Sequence, residues 1–347
     1  MTSKKHLTYG SVCSGIEAAT IAWHDLLWEP EWFSEIEPFP SAVLKHHWPE
    51  VPNLGDMTAI AGNIAAGIVT APDVLVGGTP CQAFSVAGKR QGLFDNRGKL
   101  TLSFVQLADQ LDKTRMEKGQ DPAIILWENV TGVLNSHDNA FGCFLGALAG
   151  ESSPLQPAGK KWANAGLVSG PSRSVAWRVL NAEFFGVPQS RKRVFVIASA
   201  RREFDPGMVL FEFPTLPPRA EKYYGTQKKP GTRAYTGIER EFHRYSMNAI
   251  PEIAGTLLAS YTGTTNQDMR MRGGLIVEQL PRLRVRRLTP SECERLQGFP
   301  VGHTDIPWRS SSTTQRYKAL GNSMAVPVMQ WLGGRIQQFI LRGGEIS

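Results

Sequence analysis

The chain has 347 residues and a formal net charge of +7, a modest basic excess that is compatible with nucleic acid binding but does not require it. Its length and ordinary composition predict about two globular domains, and no apolar run approaches the ~18 residues of a membrane span. The four scattered cysteines include no Cys-x-x-Cys pair, which argues against a zinc site or a disulfide framework and favours a reducing cytoplasm.

The chain opens with a pattern typical of nucleotide-binding βαβ units. A strand over Leu7–Val12 ends in the turn Cys13-Ser14-Gly15-Ile16-Glu17, and a helix is predicted over 18–27. A second strand around 32–34 ends at Glu35-Ile36-Glu37. Glu35 follows Gly15 by twenty residues, the spacing at which an acidic residue meets ribose hydroxyls in such folds. The turn has a single glycine, so the full fingerprint is absent, and a solvated loop carboxylate is the alternative for Glu35.

The next strands predict an open sheet with polar residues at the strand ends. After short helices over 40–47 and 58–68 and a short third strand before 53–56, the apolar run 72–76 predicts a buried fourth strand. Gly77-Gly78-Thr79-Pro80-Cys81 follows it directly, which places a thiol where open α/β sheets bind ligands. A buried cysteine acting only as a small hydrophobe is the alternative.

A polar loop over 88–98 follows the cysteine and carries Lys89, Arg90 and Arg97. A mobile lid that closes over an anionic polymer has this composition, and so does a plain surface loop.

The middle of the chain supplies a carboxylate and two arginines. An amphipathic helix over 100–111 precedes a fifth strand over 123–127, which ends on Glu128-Asn129-Val130. Burying a carboxylate there is costly unless it has a function or a partner. We expect an irregular segment over 142–174, then strands over 175–182 and 194–198. Arg191 and Arg193 lie between these strands, and alternation on extended chain predicts two guanidinium groups on one face.

After about residue 201 the composition changes to mixed Pro, Gly, Tyr and basic residues, which predicts a second, smaller domain of short strands and loops. A short helix over 290–296 has Thr289 as its N-cap and Glu292 at the position of a capping box. The chain closes with a helix over 326–341. The expected domains are 1–200 with 316–347, and 201–315.

Six of these blocks, in this order, resemble the bacterial and phage DNA cytosine-5 methyltransferases. They are the Ser14-Gly15-Ile16 turn, Pro80-Cys81-Gln82, Glu128-Asn129-Val130, Gln189-x-Arg191-x-Arg193, the segment 287–300 and Gly321-Asn322-Ser323. The resemblance implies an α/β fold with a doubly wound, mixed and mostly parallel sheet, the Rossmann-like fold of S-adenosylmethionine-dependent methyltransferases. It also implies that the smaller domain recognises DNA.

The resemblance implies S-adenosylmethionine as the methyl donor, S-adenosylhomocysteine as the product, and no metal. The implied cofactor residues are Ser14, Gly15, Ile16, Glu35, Ile36, Asp56, Pro80, Leu100, Asn322 and Ser323. The first motif departs from the family pattern, because Cys13 replaces an aromatic residue and Glu17 and Ala18 stand at glycine positions.

The implied catalytic residues are Cys81, Gln82, Glu128, Arg191 and Arg193. Cys81 would add to C6 of cytosine as a thiolate, a protonated Glu128 would donate to N3, and Arg193 would bond O2. Glu128 would then need a pKa raised by burial.

The implied partner is double-stranded DNA with its target base flipped out. Ser85, Lys89, Arg90 and Arg97 would face phosphate, and Thr256 would belong to a Thr-aliphatic recognition pair. We expect a cytoplasmic monomer, as in restriction-modification systems. An RNA cytosine-5 methyltransferase and a catalytically inactive DNA-binding regulator are the alternatives.

Overall fold

The structure is a computed structural model. It describes residues 6–80, 96–211, 256–257, 275–279, 283–308 and 313–341, with backbone alone at 96–99, 275–279 and 283–286. The chain divides into two compact units. The first comprises Met1–Leu180, Lys192–Glu212 and Met329–Ser347, and the second comprises Asn181–Arg191 and Phe213–Val328.

A seven-stranded sheet organises the first unit, in the order β2-β1-β3-β4-β7-β6-β5. Its strands are β1 (Thr8–Val12), β2 (Glu29–Ser34), β3 (Val74–Gly77), β4 (Ile124–Val130), β5 (Ala165–Ser169), β6 (Ser174–Asn181) and β7 (Lys192–Ser199). The pairings β1–β2, β1–β3 and β3–β4 are parallel, whereas β4–β7 and β5–β6 are antiparallel. The predicted mixed, mostly parallel fold class is confirmed.

Helices connect the strands. They are α1 (Ala18–Trp23), α2 (Pro38–His47), α3 (Ile60–Ala65), α4 (Asn96–Glu117), α5 (Ala140–Ala149), α6 (Pro206–Leu210), α7 (Pro290–Gln297), α8 (Thr313–Asn322) and α9 (Val326–Leu341). Short 3-10 turns lie at His24–Leu26, Met57–Ala59, Thr131–Asn135 and Ala182–Phe185. Among the described residues no helix is long and apolar enough to cross a membrane.

The core of the first unit packs between β3, β4 and the helices that follow them. Phe104, Leu107 and Leu111 of α4 are fully buried at the predicted helical spacing. Trp127 of β4 packs on Phe144 of α5, with ring centroids 4.3 Å apart. Aromatic side chains of this size contribute much of the buried apolar area and fix β4 in the centre of the sheet.

Gly77 shows why a glycine follows the buried run of β3. A Cβ atom at this position would lie 2.5 Å from a side-chain carbon of Val12 and 2.7 Å from the Val12 carbonyl oxygen. The main chain of β1 cannot retreat without breaking its ladder with β3, so only glycine lets these strand ends approach so closely.

The second unit contains the antiparallel pair β8 (Leu275–Gln279) and β9 (Leu283–Arg287) and the helices α7 and α8. The capping box predicted for α7 is present, because the Thr289 side chain accepts from the Glu292 N–H and the Glu292 carboxylate accepts from the Thr289 N–H. The predicted helix over 326–341 coincides with α9.

Two of the sequence predictions for the first unit are wrong. The segment before 53–56 forms a single bridge between Phe33 and Asn53 instead of a third strand, because Pro52 has no N–H to donate to a ladder. The supposedly irregular stretch over 142–174 contains α5 and β5. Its glycines allow close packing, since a Cβ at Gly142 would lie 2.1 Å from the Leu155 carbonyl oxygen.

The division into units also differs from the expected domain boundaries at about 200 and 316. The structure assigns residues 181–191 and 316–328 to the second unit.

Candidate active site

The described chain leads up to the cysteine motif and stops at Pro80. Cys81, Gln82, Ser85, Lys89 and Arg90 lie outside the described residues. Arg97 lies on the first turn of α4, where only the backbone is described.

Buried hydrogen bonds fix the residue before Pro80. The Trp127 indole N–H donates to Thr79 Oγ1 (3.0 Å), and the Thr79 and Thr101 hydroxyls lie 3.2 Å apart. Asn129 Nδ2 donates to the Thr79 carbonyl oxygen (2.9 Å). Thr79 is therefore held from β4 and from α4. Sequence reasoning missed these positions, although a buried indole N–H that must find a partner is a usable signal.

Glu128 and Arg193 form an ion pair at the carboxyl end of β4, with Arg193 Nε 3.1 Å from Glu128 Oε1. They meet because β7 runs antiparallel to β4, so that Val130 pairs with Arg193 and Glu128 with Phe195. Burial lowers the pKa of the Arg193 guanidinium, and the neighbouring carboxylate opposes that shift.

This ion pair bears on the expected state of Glu128. A guanidinium at this distance favours the ionised carboxylate, which is the opposite of the raised pKa that the sequence-based mechanism requires. Protonation of Glu128 stays a prediction.

The carboxyl ends of β1 and β2 are joined around the glycine turn. The Ser14 N–H donates to the Ser34 carbonyl (3.2 Å), and the Ser34 N–H donates to Ser14 Oγ (3.0 Å). The Glu35 carboxylate accepts from the Gly15 N–H (2.8 Å) and from the Glu37 N–H (2.7 Å). Gly15 has φ +59°, a left-handed conformation that favours glycine.

The pKa of the Cys13 thiol reflects the charges near this turn. Burial, with smaller contributions from the negative charges of Glu35 and Asp56, raises the pKa of its thiol to about 12. Asp56 itself accepts from the Thr58 N–H and hydroxyl, both at 2.9 Å. Two carboxylates therefore act on the strand-end turn, which is a favourable field for a cation.

The side chains at this edge fit an adenosyl sulfonium ligand. Ile36 is 72% exposed, which leaves an apolar surface beside the Glu35 carboxylate. Carboxylates can accept from ribose hydroxyls and an adenine amino group, and an exposed aliphatic face can cover a purine ring. Ile16 is fully buried, so its main chain rather than its side chain is available to a ligand. Leu100 is half-buried against the core, and Pro80 is exposed.

The remaining predicted site residues belong to the second unit, where Arg191 is the centre of a buried network. Its guanidinium donates to three carbonyl oxygens, those of Leu257 (3.1 Å), Gly321 (3.1 Å) and Ser323 (2.7 Å). Because its acceptors are main-chain carbonyl oxygens, Arg191 has a structural role in this unit. Arg193, in contrast, pairs with the carboxylate of Glu128.

Two glutamines extend that network, and sequence reasoning assigned a role to neither. Gln189 accepts from the Leu257 N–H (3.1 Å) and donates to the Leu296 carbonyl (2.8 Å). Gln297 donates to the Leu320 carbonyl (2.7 Å). The Thr256 hydroxyl donates to the Ser190 carbonyl (2.6 Å). Thr256 is therefore bonded to the residue that directly precedes Arg191 in the sequence.

The sequence model of the family described as C-5 cytosine-specific DNA methylase matches residues 7–338. The chain belongs to this family. Two of the chain's relatives are a phage protein and a bacterial protein. This chain is 40% identical over 472 residues to the protein named DNA N-6-adenine-methyltransferase of Escherichia phage P1, with 99% of this chain and 63% of that protein covered. It is 28% identical to the Type II methyltransferase M.DsaV of Dactylococcopsis salina, with 97% and 88% covered.

The methylase therefore spans less than two thirds of the phage P1 relative. Among solved structures it resembles the S. pombe Dnmt2 methyltransferase, with a TM-score of 0.62, 17% identity, and 97% and 99% of the two chains covered. That likeness shows the fold.

Within the first unit, the structure brings the methylase's predicted site residues into two groups. Ser14, Gly15, Glu35 and Asp56 surround the turn after β1. Glu128 and Arg193 meet at the end of β4. Asn322, which is exposed, ends α8 in the second unit, and Ser323, which is buried, follows it.

Proposed function

We propose that this methylase transfers a methyl group from S-adenosylmethionine to C5 of a flipped-out cytosine in a specific duplex DNA sequence, through a covalent Cys81–C6 adduct. The Glu128–Arg193 pair carries the proposal. Residues from β4 and β7 place one carboxyl and one guanidinium side by side, at the end of the strand that neighbours β3. The strand β3 leads into Pro80 and Cys81.

The chemistry needs residues of these types. C5 of cytosine is a weak nucleophile, and addition of the Cys81 thiolate to C6 moves an electron pair toward C5 and makes it enamine-like. The same addition increases negative charge at N3 and O2. A protonated Glu128 can donate to N3 and Arg193 can donate to O2, which stabilises that charge as it develops. After methylation a base takes the C5 proton, and the electron pair returns to expel the Cys81 thiolate.

The residues at the ends of β1 and β2 would hold the donor, which supplies an electrophilic methyl group on a positively charged sulfur. The main chain of the Ser14-Gly15-Ile16 turn would line its methionine end. Glu35 would bind the ribose hydroxyls, and Ile36 would cover the adenine. The contribution of Pro80, Leu100, Asn322 and Ser323 to this site is part of the same proposal.

When the cytosine enters, Glu128 and Arg193 would give up their contact with each other, and each would bond the base instead. Their pairing favours an ionised Glu128, whereas donation to N3 needs a proton on it. We therefore expect one proton to be taken up when the cytosine enters. This step would couple base flipping to the charge state of the site.

Duplex DNA with a dedicated recognition region is the proposed substrate, with residues of the second unit, including Thr256, on the DNA side. The name of the phage P1 relative specifies adenine N6. An exocyclic amino group can attack a methylsulfonium directly and needs no covalent cysteine. The Pro80-Cys81 motif and the Glu128–Arg193 pair therefore favour cytosine for this chain.

The test is to express the protein in cells without other DNA methylation and to measure 5-methylcytosine and N6-methyladenine in plasmid nucleosides by mass spectrometry. Bisulfite sequencing of the same plasmid locates the modified sites. We expect 5-methylcytosine in one sequence context, and none with the matched Cys81→Ser variant. Adenine methylation alone, or cytosine methylation confined to transfer RNA, would overturn the assignment.

A second experiment tests the covalent step. A duplex with 5-fluorocytosine at the identified position cannot lose its C5 substituent as a proton, so the active enzyme is trapped on it when the donor is present. We expect an adduct with the wild-type protein, and DNA binding without an adduct for Cys81→Ser. An adduct that persists in this variant assigns the nucleophile elsewhere, and binding without any adduct supports an inactive DNA-binding regulator.

A further inference from the structure

Glu17 occupies an unusual position in the turn after β1. It has φ 61° and ψ 69°, a left-handed conformation that is uncommon for a residue with a side chain. Its N–H donates to the Ser14 carbonyl (3.0 Å), which closes the turn. Its side chain then folds back as the N-cap of α1 and accepts from the Thr20 N–H (3.3 Å).

The Glu17 carboxyl is also buried, and among the described residues no positively charged side chain acts on it. The residue is 1% exposed, and its Oε2 atom has no hydrogen-bond partner among the described residues. Two titratable side chains bear on it, Tyr9 from β1 and Glu35 from the end of β2, and neither can become positive. The residues of α1, Ala18–Trp23, include no charged side chain.

The cost of ionising this carboxyl follows from its surroundings. An unpaired buried carboxylate is expensive, and a second carboxylate nearby adds to that expense. Burial, together with a smaller contribution from the charge of Glu35, raises the pKa of Glu17 to about 7, against hydrogen bonds from Ser11 and Thr20 that lower it. Glu35 and Asp56 are less buried than Glu17: Glu35 is half-buried and accepts from two main-chain N–H groups, and Asp56 is exposed.

We propose that Glu17 keeps its carboxyl proton in the folded protein and acts as a positioning residue for the donor-binding turn, so that loss of this proton weakens donor binding. The inference rests on the proposed donor site. The neutral carboxyl lets Glu17 cap α1 and hold the left-handed turn at Ser14–Glu17. When the proton leaves, no described positive charge stands behind the turn to balance the carboxylate, and the turn must open toward water to solvate it. Donor affinity then falls as the pH rises.

The test compares the wild-type protein with Glu17→Gln, which is neutral at every pH and similar in shape. Binding of S-adenosylhomocysteine is measured by calorimetry from pH 6 to pH 8.5. We expect similar affinities at pH 6, followed by a loss in the wild type that approaches tenfold per pH unit above pH 7 and is missing in the variant. The ligand's own amino group titrates equally with both proteins, so the ratio of their affinities isolates Glu17.

A second readout needs no ligand. The pKa of Glu17 is raised on folding, so its stabilising contribution is complete below the unfolded value and is lost as the pH rises through about 7. Urea unfolding should therefore show Glu17→Gln gaining stability relative to the wild type between pH 5 and pH 8. If the glutamine variant does not fold, Glu17→Gly replaces it, because glycine adopts the left-handed conformation without strain.

The outcomes separate the two proposals. Parallel pH profiles of the two proteins in both measurements would overturn the role of Glu17. So would wild-type affinity that rises with pH relative to the variant, since that result makes Glu17 an anionic ligand of the donor. Absence of binding at every pH would refute the proposed donor site, while the unfolding measurement would still test the proton on Glu17.

Discussion

At the scale of single residues, side chains from β4 and α4 hold the segment that leads into the Pro80-Cys81 motif. Thr79 is bonded by the Trp127 indole, by the Thr101 hydroxyl and, at its carbonyl, by Asn129. Proline follows, and its ring restricts the backbone further. The described chain is therefore restrained up to Pro80, the residue that precedes Cys81 in the sequence.

Replacing Thr79 by valine should therefore slow methyl transfer. Valine has nearly the same shape but leaves the buried Trp127 N–H without its acceptor, which costs about 1–3 kcal/mol. We expect turnover to fall by about tenfold or more at saturating DNA, as measured by transfer of tritiated methyl groups. Thr79→Ser keeps the hydroxyl and serves as the matched control. Equal turnover of the valine and serine variants would show that these bonds do not position the motif.

At the scale of elements, the helices and strands with strong local signals could be predicted from the sequence. α9 follows its apolar periodicity, α7 follows its Thr289–Glu292 box, and β4 follows its apolar run. α5 could not be predicted in this way, because Gly142 and Gly146 indicate a loop by composition. Their real task is to let the chain around Ser153 and Leu155 lie against the helix, a contact that is invisible in a local pattern.

The capping box of α7 gives a prediction at this scale. Thr289→Ala removes the side-chain acceptor of the Glu292 N–H, and loss of an N-cap costs about 1 kcal/mol, within a range of ~0.5–2. Urea unfolding monitored by circular dichroism should show that decrease, and Thr289→Ser should restore most of it. A change near zero would indicate that the end of the helix is satisfied by other groups.

At the scale of the whole molecule, the partition of the chain could not be predicted from composition. Residues 181–191 join the second unit because Gln189 and Arg191 bond to residues near 257, 296 and 321–323. These bonds join positions more than sixty residues apart, and the composition changes elsewhere, near residue 201. The candidate site, too, could be predicted from the sequence only in part. Motif order predicts the identities of Glu128 and Arg193, whereas their mutual pairing follows only from the reversed direction of β7.

The net charge of +7 gives a prediction for the intact protein on DNA. Each phosphate contact releases condensed counterions, so the affinity for nonspecific duplex should fall by at least about tenfold between 50 and 200 mM salt, as expected from as few as two contacts. Fluorescence anisotropy with a labelled duplex measures this. Binding that is independent of salt would exclude a phosphate-dominated interface.

The reversed direction of β7 has a consequence for the order in which the protein is made. Glu128 is synthesised sixty-five residues before Arg193, and the two meet only when β7 enters the sheet between β4 and β6. A growing chain can assemble β1 to β4, with the turn after β1 complete, while its carboxyl group at position 128 still lacks the guanidinium. Closing so long a loop is slow compared with local helix formation. The Glu128–Arg193 pair can thus form only after β7 has been made, and a ribosome that stalls before residue 193 carries a chain that has no such pair.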